Sequence, residues 1–196
     1  MAPPITAIVL AAGLSRRAAP HHKLLLPAPD GSGCPVVRAT TEALSAAELR
    51  EVIVVTGHER ERVEAALAGL AVRFVFADDY ARGMGHSLAA GVRAAQADAV
   101  GFVVAPGDLP ELTTDLVHRV VDCFVSEATE YHVIPTASGA RGHPVVLGAW
   151  LRPQLEVLSG DAGARHLLAA TAEAARCCYF EVGDRAILRD VDQPGP

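Results

Sequence analysis

The sequence is nearly without lysine: Lys23 stands beside sixteen arginines in 196 residues. A flexible ammonium and a planar guanidinium fork suit different ligands, so a position that keeps lysine is a candidate for a specific contact. The competing interpretation is a solvated surface charge, the usual state of a lone lysine. The residues around Lys23 in its loop distinguish between these two interpretations.

Paired cysteines, long apolar runs and a leader-like start are also missing. The four cysteines show no Cys-x-x-Cys spacing, which argues against zinc, and a chain of this length needs no disulfide framework. The longest apolar stretches have the length of strands, well below the roughly 20 residues of a membrane span. No charged segment followed by a long apolar run begins the chain. We therefore expect a cytoplasmic protein that does not associate with membranes.

The net charge is -6, so the field of the whole molecule repels nucleic acid. A phosphorylated ligand therefore has to meet a local basic site. One candidate is present, because Arg16, Arg17 and Lys23 lie close together in the sequence, with His21 and His22 between them.

Short β-branched runs alternate with alanine-rich stretches along most of the chain. Apolar residues on both faces of most runs are typical of parallel strands covered by helices. The pattern predicts one α/β domain over residues 1–196, Rossmann-like and doubly wound, with a mostly parallel sheet and a mixed edge. We expect strands at 5–10, 52–55, 72–76, 100–104, 131–134, 145–147, 177–182 and 186–189. We expect helices at 36–47, 59–67, 87–96, 114–125, 150–158 and 162–170, with Pro35 and Ser87 at helix starts.

Ligands of such sheets bind beyond the carboxyl ends of the strands. The loop after the first strand, residues 10–17, has small residues that let backbone N–H groups approach an anion, and Lys23 follows it. It is neither a P-loop nor a dinucleotide fingerprint, because Gly-Lys-[Ser/Thr] and the second and third glycines of G-x-G-x-x-G are missing. The segment is interpreted as a polyphosphate cradle. A tight turn with solvated charges explains this loop equally well when it is taken alone.

A carboxylate ends the fourth predicted strand, where Asp108 lies between Gly107 and Pro110. Mg²⁺ usually takes one or two protein carboxylates and completes its shell with water and phosphates. Asp192, in a late acidic segment, is a candidate partner ligand. The alternative is that Asp108 caps the following helix or forms an Asx-turn.

Six groups of residues occur in a specific order along most of the chain: 10–17 with 23–27, 83–91, 107–110, 139–146, 158–165 and 190–194. In this order they resemble the molybdenum-cofactor nucleotidyltransferases, and within them the molybdopterin cytidylyltransferase-like members. The resemblance implies a nucleotidyltransferase fold of the nucleotide-diphospho-sugar transferase type. It also implies transfer of a nucleoside monophosphate from an NTP to a phosphate-bearing acceptor, with release of pyrophosphate.

The resemblance also implies roles for individual residues. Lys23, near the α-phosphate, Arg17 and Asp108 carry the catalysis, and Asp108 with Asp192 holds Mg²⁺. The nucleotide lies against Leu10, Ala11, Ala12, Gly13, Ser15, Arg17, Lys23, Gly85, Ser87 and Gly107. The acceptor faces Arg141, Gly142, His143, Asp161, Gly163 and Arg165.

The implied donor is CTP, because Ala12 stands where guanylyl-transferring relatives tend to carry glycine, and the implied acceptor is molybdopterin. A molybdoenzyme or its chaperone is a possible protein partner. Three alternatives stay open: another phosphorylated acceptor, GTP as donor, and a non-catalytic nucleotide-binding accessory of a molybdoenzyme. The chain departs from the family pattern at Ala18 and Ala19 and at Gln193.

The eight histidines show no metal-ligand spacing. His86 and His143 lie in motif loops and are candidates for ligand contact. His21 and His22 are expected at a loop tip. Surface or helix-end positions are expected for the remaining four, His58, His118, His132 and His166.

Overall fold

The computed structural model describes residues 4–15, 21–126, 130–173 and 176–191, and within them eight strands form one sheet. The chain pairs the strands in the order β3-β2-β1-β4-β7-β5-β6, with β8 also on β5. Their bounds are β1 Ile5–Ala11, β2 Glu51–Thr56, β3 Arg73–Phe76, β4 Gly101–Pro106, β5 His132–Ala137, β6 Ala140–Arg141, β7 Val145–Gly148 and β8 Cys177–Glu181.

The sheet is parallel through β1 to β4 and becomes mixed beyond β4. β1 pairs in parallel with β2 and β4, and β2 with β3. β7 is antiparallel to both β4 and β5, whereas β8 is parallel to β5. The predicted α/β class with a mostly parallel sheet and a mixed edge is confirmed. Because β4, β5 and β8 run the same way, the carboxyl ends of six strands (β1–β5 and β8) lie at one edge of the sheet.

Helices cover both faces of the sheet, as its apolar strands require. On one face residues of α1 and α4 form an apolar cluster with Val9 of β1, and on the other residues of α3 and α5 form one with Ile8. The helices are α1 Val36–Ser45, α2 Arg60–Ala66, α3 Met84–Ala94, α4 Thr114–Ser126, α5 Arg152–Leu155 and α6 Arg165–Glu173. None of the helices in the described ranges has the length and apolarity that would let it span a membrane.

The start of α3 differs from the prediction. The helix begins at Met84, so Ser87 lies inside it and does not cap it. Gly83 precedes the helix with φ 126° and ψ 161°, a region of backbone space that is essentially restricted to glycine. Pro35, by contrast, immediately precedes α1, close to its predicted place at the first helical position.

Several elements of the second half are also shorter than predicted or of another type. The strand expected at 186–189 is a 3-10 helix, Arg185–Leu188, because the Asp184 carboxylate accepts a hydrogen bond from the Ala186 N–H and closes a turn. The helix expected at 150–158 is a 3-10 turn, Ala149–Leu151, followed by the single-turn α5. Pro153 lies in the first turn of α5, where its missing N–H costs no helical hydrogen bond. The helix expected from residue 162 begins only at Arg165, after a turn around Gly163.

Candidate functional site

A cavity of about 420 Å³ opens where β1 and β4 end side by side, with Leu10 paired to Pro106. This is the edge at which parallel α/β sheets bind ligands. Its volume lies within the range of small-molecule sites. Sixteen of the described residues line it: Leu10, Ala12, Gly13, Leu14, Ser15, Lys23, Leu24, Tyr80, Ala81, Arg82, Gly83, Met84, Ser87, Pro106, Asp108 and Asp161.

Small residues form the part of the wall that follows β1. Ala12 is buried, and its carbonyl accepts a hydrogen bond of 3.3 Å from the His58 N–H, which ties this loop to the end of β2. Gly57 allows the approach, since a Cβ there would lie 2.8 Å from the Ala12 carbonyl oxygen. Gly13 faces open space, where a Cβ would meet no atom within 4 Å. The wall therefore offers backbone close to the space that a ligand would fill.

Lys23 and Asp108 form an ion pair at this cavity, with Nζ 2.5 Å from Oδ2. Lys23 begins the 3-10 helix Lys23–Leu25, which is held in place by the buried Leu24. The Asp108 side chain is only 7% exposed. Its other oxygen, Oδ1, is buried, and no hydrogen-bond partner for it is found among the described residues. Buried carboxylate oxygens are normally paired, so Oδ1 is a candidate acceptor for a bound group.

Backbone hydrogen bonds hold the loop that carries Asp108. The Gly107 N–H donates to the Leu10 carbonyl at 3.0 Å, and the Val191 N–H donates to the Asp108 carbonyl at 3.1 Å. Asp108 does not cap α4, because the Thr113 hydroxyl accepts from the Leu116 N–H at 3.3 Å at that helix start. The alternative structural role for Asp108 as a helix cap is therefore wrong.

Tight packing of two glycine-containing loops brings Asp161 to the cavity. The Gly85 N–H donates to the Gly160 carbonyl at 2.8 Å. A Cβ on Gly85 would lie 2.7 Å from the Ser159 carbonyl oxygen, and one on Gly83 would overlap the Gly160 backbone. These glycines are thus required by contact between the start of α3 and the segment before α6.

The predicted acceptor segment 141–143 lies at the same sheet edge but is not part of the cavity lining. Arg141 is exposed, with its guanidinium 4.9 Å from the centroid of the Tyr179 ring. The Gly142 N–H donates to the Pro135 carbonyl, and the His143 N–H to the Ile187 carbonyl. The His143 side chain is accessible yet crowded by protein atoms: desolvation lowers its pKa, while a backbone hydrogen bond to Val104 and the charges of Asp108 and Asp190 act in the opposite direction.

The other predicted site residues divide into three groups. Leu10, Ala12, Gly13, Ser15, Ser87 and Asp161 lie in the cavity wall with Lys23 and Asp108, whereas Ala11, Gly85, Gly107, Gly163 and Arg165 are not among its lining residues. Arg17 and Asp192 lie outside the described residues, as do Ala18, Ala19 and Gln193. In the part of the chain that the structure describes, no three His, Cys, Asp or Glu side chains form a group able to hold a metal. A site shared by Asp108 and Asp192 therefore stays a prediction.

The sequence interpretation did not identify the wall formed by Tyr80, Ala81 and Arg82. These residues form a 3-10 turn after β3 and line the cavity, as do Leu14, Leu24 and Pro106. The rule that ligands bind at the loops after parallel strands also applies to β3. It would therefore have identified residues 80–82 as part of the site.

Two histidines are placed differently from the prediction. His132 lies within β5 and is fully buried, not at the surface. His22 is 5% exposed and stacks on His58 at 5.6 Å between ring centroids, so it is not a loop tip. Desolvation lowers the pKa of His22. His118 and His166 are exposed, as predicted.

Relatives of known sequence share most of the chain. It is 33% identical over 171 residues to nicotine blue oxidoreductase of Paenarthrobacter nicotinovorans, covering 85% of this chain and 82% of that protein. It is 32% identical over 117 residues to the purine catabolism protein PucB of Bacillus subtilis, covering 59% of this chain and 55% of that protein.

Solved structures show the same fold. A nucleotidyl transferase from Methanothermobacter thermautotroptrophicus superposes with a TM-score of 0.80 at 31% identity, over 96% of this chain and 92% of that one. The Rv0371c protein of Mycobacterium tuberculosis H37Rv superposes with a TM-score of 0.82 at 30% identity, over 98% and 94% of the two chains. A second structure of Rv0371c is a complex with manganese, with a TM-score of 0.70 at 29% identity over 91% and 86%.

The family assignment agrees with this fold and with the expectation from the sequence motifs. Residues 7–175 match the profile of the MobA-like NTP transferase domain. The chain therefore belongs to the MobA-like NTP transferase family and is a nucleotidyltransferase.

Proposed function

We propose that this protein transfers cytidine monophosphate from CTP to molybdopterin with the help of Mg²⁺ and releases pyrophosphate. The observation that carries the proposal is the arrangement of Lys23 and Asp108 at the carboxyl edge of the sheet. A cation and a buried carboxylate with an unsatisfied oxygen lie together at a cavity of nucleotide size.

The reaction forms a bond between a phosphate oxygen of the acceptor and the α-phosphorus of CTP. The bond from that phosphorus to the bridging oxygen breaks, and its electron pair leaves with pyrophosphate. Because the acceptor phosphate is already an anionic nucleophile, no side chain has to activate it. The protein's task is to align two anionic substrates and to neutralise the charge that develops.

Lys23 fits the role of the cation at the α-phosphate. It lies in the cavity wall next to the small-residue loop, and its side chain is 24% exposed. Arg17, in the same basic segment, is the proposed second phosphate contact. The backbone around Ala12, Gly13 and Ser15 would lie against the nucleotide, and Ser87 lines the same cavity.

Asp108 fits a divalent cation. Its Oδ1 is buried and unsatisfied among the described residues, and Mg²⁺ needs only one or two protein carboxylates. Asp192 is the proposed second ligand, since its neighbour Val191 is hydrogen-bonded to the Asp108 backbone. A bound divalent ion supplies neutralisation of the phosphate charge. The manganese complex of Rv0371c supports a divalent-metal site in this fold.

The acceptor would approach from the side of Asp161, which lies in the cavity wall. Arg165 begins α6 close to it in sequence, and Arg141 and His143 lie at the same sheet edge. Gly142 packs closely on Ile187, and Gly163 supplies a backbone turn with φ +54°. The exposed guanidinium groups suit a phosphorylated acceptor.

The decisive experiment measures pyrophosphate release with each of the four NTPs, with Mg²⁺ and with purified molybdopterin. Release with CTP and molybdopterin alone supports the proposal. Release with GTP, or with another phosphorylated acceptor, would support nucleotidyl transfer but with a different substrate from the one proposed. Tight NTP binding without turnover favours a nucleotide-binding accessory of a molybdoenzyme or its chaperone.

Reduced nicotinamide nucleotides belong in the same set of trials, because one relative is named an oxidoreductase. Thermal unfolding with each nucleotide reports binding independently of turnover, since a ligand stabilises the fold it binds. Stabilisation by NADH or NADPH and none by any NTP would contradict the proposed donor.

A further inference from the structure

Thr40 of α1 contacts the backbone on both sides of Asp108. Its hydroxyl accepts a hydrogen bond of 3.0 Å from the Leu109 N–H and lies 3.3 Å from the Gly107 carbonyl oxygen. Thr40 is fully buried and does not line the cavity. It therefore reaches the site only through the loop that carries Asp108.

The hydrogen-bonding capacity of the Thr40 hydroxyl fits the donor and acceptor groups of this loop. A threonine hydroxyl has one proton to donate and lone pairs to accept with. It accepts from Leu109 while its proton lies within reach of Gly107 and of the Val36 carbonyl in its own helix, both at 3.3 Å. No other acceptor for the buried Leu109 N–H is found in the described part of the chain. Loss of the hydroxyl would leave that donor unsatisfied, which is costly in a buried place.

The next residue provides a natural comparison. Thr41 is equally buried, and its hydroxyl donates to the Val37 carbonyl of its own helix at 2.7 Å. That bond ties α1 to itself and leaves the Asp108 loop untouched. The two threonines thus share burial, helix and chemistry and differ in the loop contact.

We infer that Thr40 is a positioning residue that holds the Asp108 carboxylate at the cavity. The inference rests on the proposed function, in which Asp108 binds the divalent ion and pairs with Lys23. Groups that orient a metal-binding carboxylate typically change metal affinity or activity by about 10- to 100-fold when they are lost. The bonds from Gly107 to Leu10 and from Val191 to Asp108 do not involve Thr40, so without it the loop keeps its path, but the loop and its carboxylate become more mobile.

The test compares Thr40→Val with Thr41→Val. In Thr40→Val we expect Mn²⁺ binding, followed by electron paramagnetic resonance without nucleotide, to weaken about tenfold. We expect the metal concentration for half-maximal turnover to rise equally, and Thr40→Ser to restore both. Thr41→Val should bind Mn²⁺ and turn over like the wild type. If Thr40→Val does not fold, Thr40→Ala removes the same hydroxyl without adding a methyl group in its place.

Hydrogen exchange at the Val191 amide gives a readout that needs no activity. This amide donates to the Asp108 carbonyl, so it should exchange faster in Thr40→Val than in Thr41→Val. Equal Mn²⁺ affinity and equal turnover in the two valine variants would overturn the inference. If the wild type neither binds Mn²⁺ nor releases pyrophosphate, the proposed function is wrong. Val191 exchange then tests the positioning role of Thr40 by itself. Equal exchange rates in the two valine variants would overturn that role.

Discussion

Lys23 and Asp108 neutralise each other at the cavity, with Nζ 2.5 Å from Oδ2. A triphosphate entering this space competes with the carboxylate for the ammonium. A divalent cation compensates the carboxylate when the lysine turns to the phosphates. In the proposed reaction the pair is therefore a charge-balanced resting state of the site.

Loss of either partner should lower turnover strongly. We expect Lys23→Ala and Asp108→Ala each to reduce kcat by about a hundredfold, the usual cost of one preorganised electrostatic contact. Lys23→Arg should not restore the rate, because a planar guanidinium fork differs in size and donor geometry from the ammonium that fits beside Asp108. Steady-state pyrophosphate release measures all three variants.

Asp115→Asn is a suitable control for these variants. It removes an exposed carboxylate in the first turn of α4, outside the cavity, and should leave kcat unchanged. Near-normal turnover of Lys23→Ala or Asp108→Ala would overturn the assigned roles.

The glycine before α3 should be hard to replace. In Gly83→Ala the Cβ would overlap the Gly160 backbone. Gly83 also has φ 126° and ψ 161°, a conformation that is essentially restricted to glycine. We expect the free energy of unfolding to fall by about 3 kcal/mol or more and nucleotide affinity to fall with it, because Gly83 lines the cavity. Urea denaturation and nucleotide titration measure the two effects.

Gly69→Ala separates backbone conformation from contact. Gly69 has φ +86°, and a Cβ at this position would meet no atom within 4 Å. Its replacement by alanine therefore costs only backbone strain and creates no steric overlap. We expect a cost of about 1 kcal/mol and unchanged nucleotide binding. Equal losses of stability in the two variants would mean that the contact with Gly160 is unimportant.

The sequence predicted the parts of the fold that depend on local pattern. The apolar runs of β1 and β4 marked buried parallel strands, and the rule for strand ends then placed Lys23 and Asp108 at one edge. The motifs gave the order of the site segments. Their meeting in space follows from the parallel register of Leu10 with Pro106.

Contacts between segments that are distant in the sequence could not be predicted from the local sequence pattern. The direct ion pair of Lys23 with Asp108, the burial of His132 beside Trp150, and the close packing of Gly83 on Gly160 each join residues far apart in sequence. Asp184 similarly turns a segment with strand-like composition into a 3-10 helix. Tertiary packing decides such places, and local preference does not reveal them.

Acid should destabilise the protein through His132. Burial lowers the pKa of this histidine from 6.5 to about 4 in the folded protein. As the pH falls below 6.5 the unfolded chain takes up a proton that the folded chain refuses, so stability declines until about pH 4. The full effect of this group amounts to about 3 kcal/mol.

His132→Gln removes the titrating ring, so urea denaturation from pH 7 to 4 should show a shallower loss of stability with acid than in the wild type. His118→Gln, which alters an exposed histidine of α4, should keep the wild-type slope. Identical slopes in all three proteins would show that His132 does not govern this range.

Oxidation should join α4 to β8. The sulfur atoms of Cys123 and Cys178 lie 3.8 Å apart, close to van der Waals contact, and no disulfide joins them. With oxidised glutathione, one thiolate forms a mixed disulfide and the other resolves it, releasing two molecules of reduced glutathione. We expect the new disulfide to raise the free energy of unfolding by at most about 4 kcal/mol, and peptide mapping without reductant to identify the pair.

Two serine variants test this pairing. Cys123→Ser should abolish both the cross-link and the stabilisation, because Cys177, the neighbour of Cys178, packs against the core cluster on the opposite face of the sheet. Cys34→Ser should leave both intact. A cross-link that persists in Cys123→Ser would mean that Cys178 finds another partner, and that the 3.8 Å approach is not the reactive one.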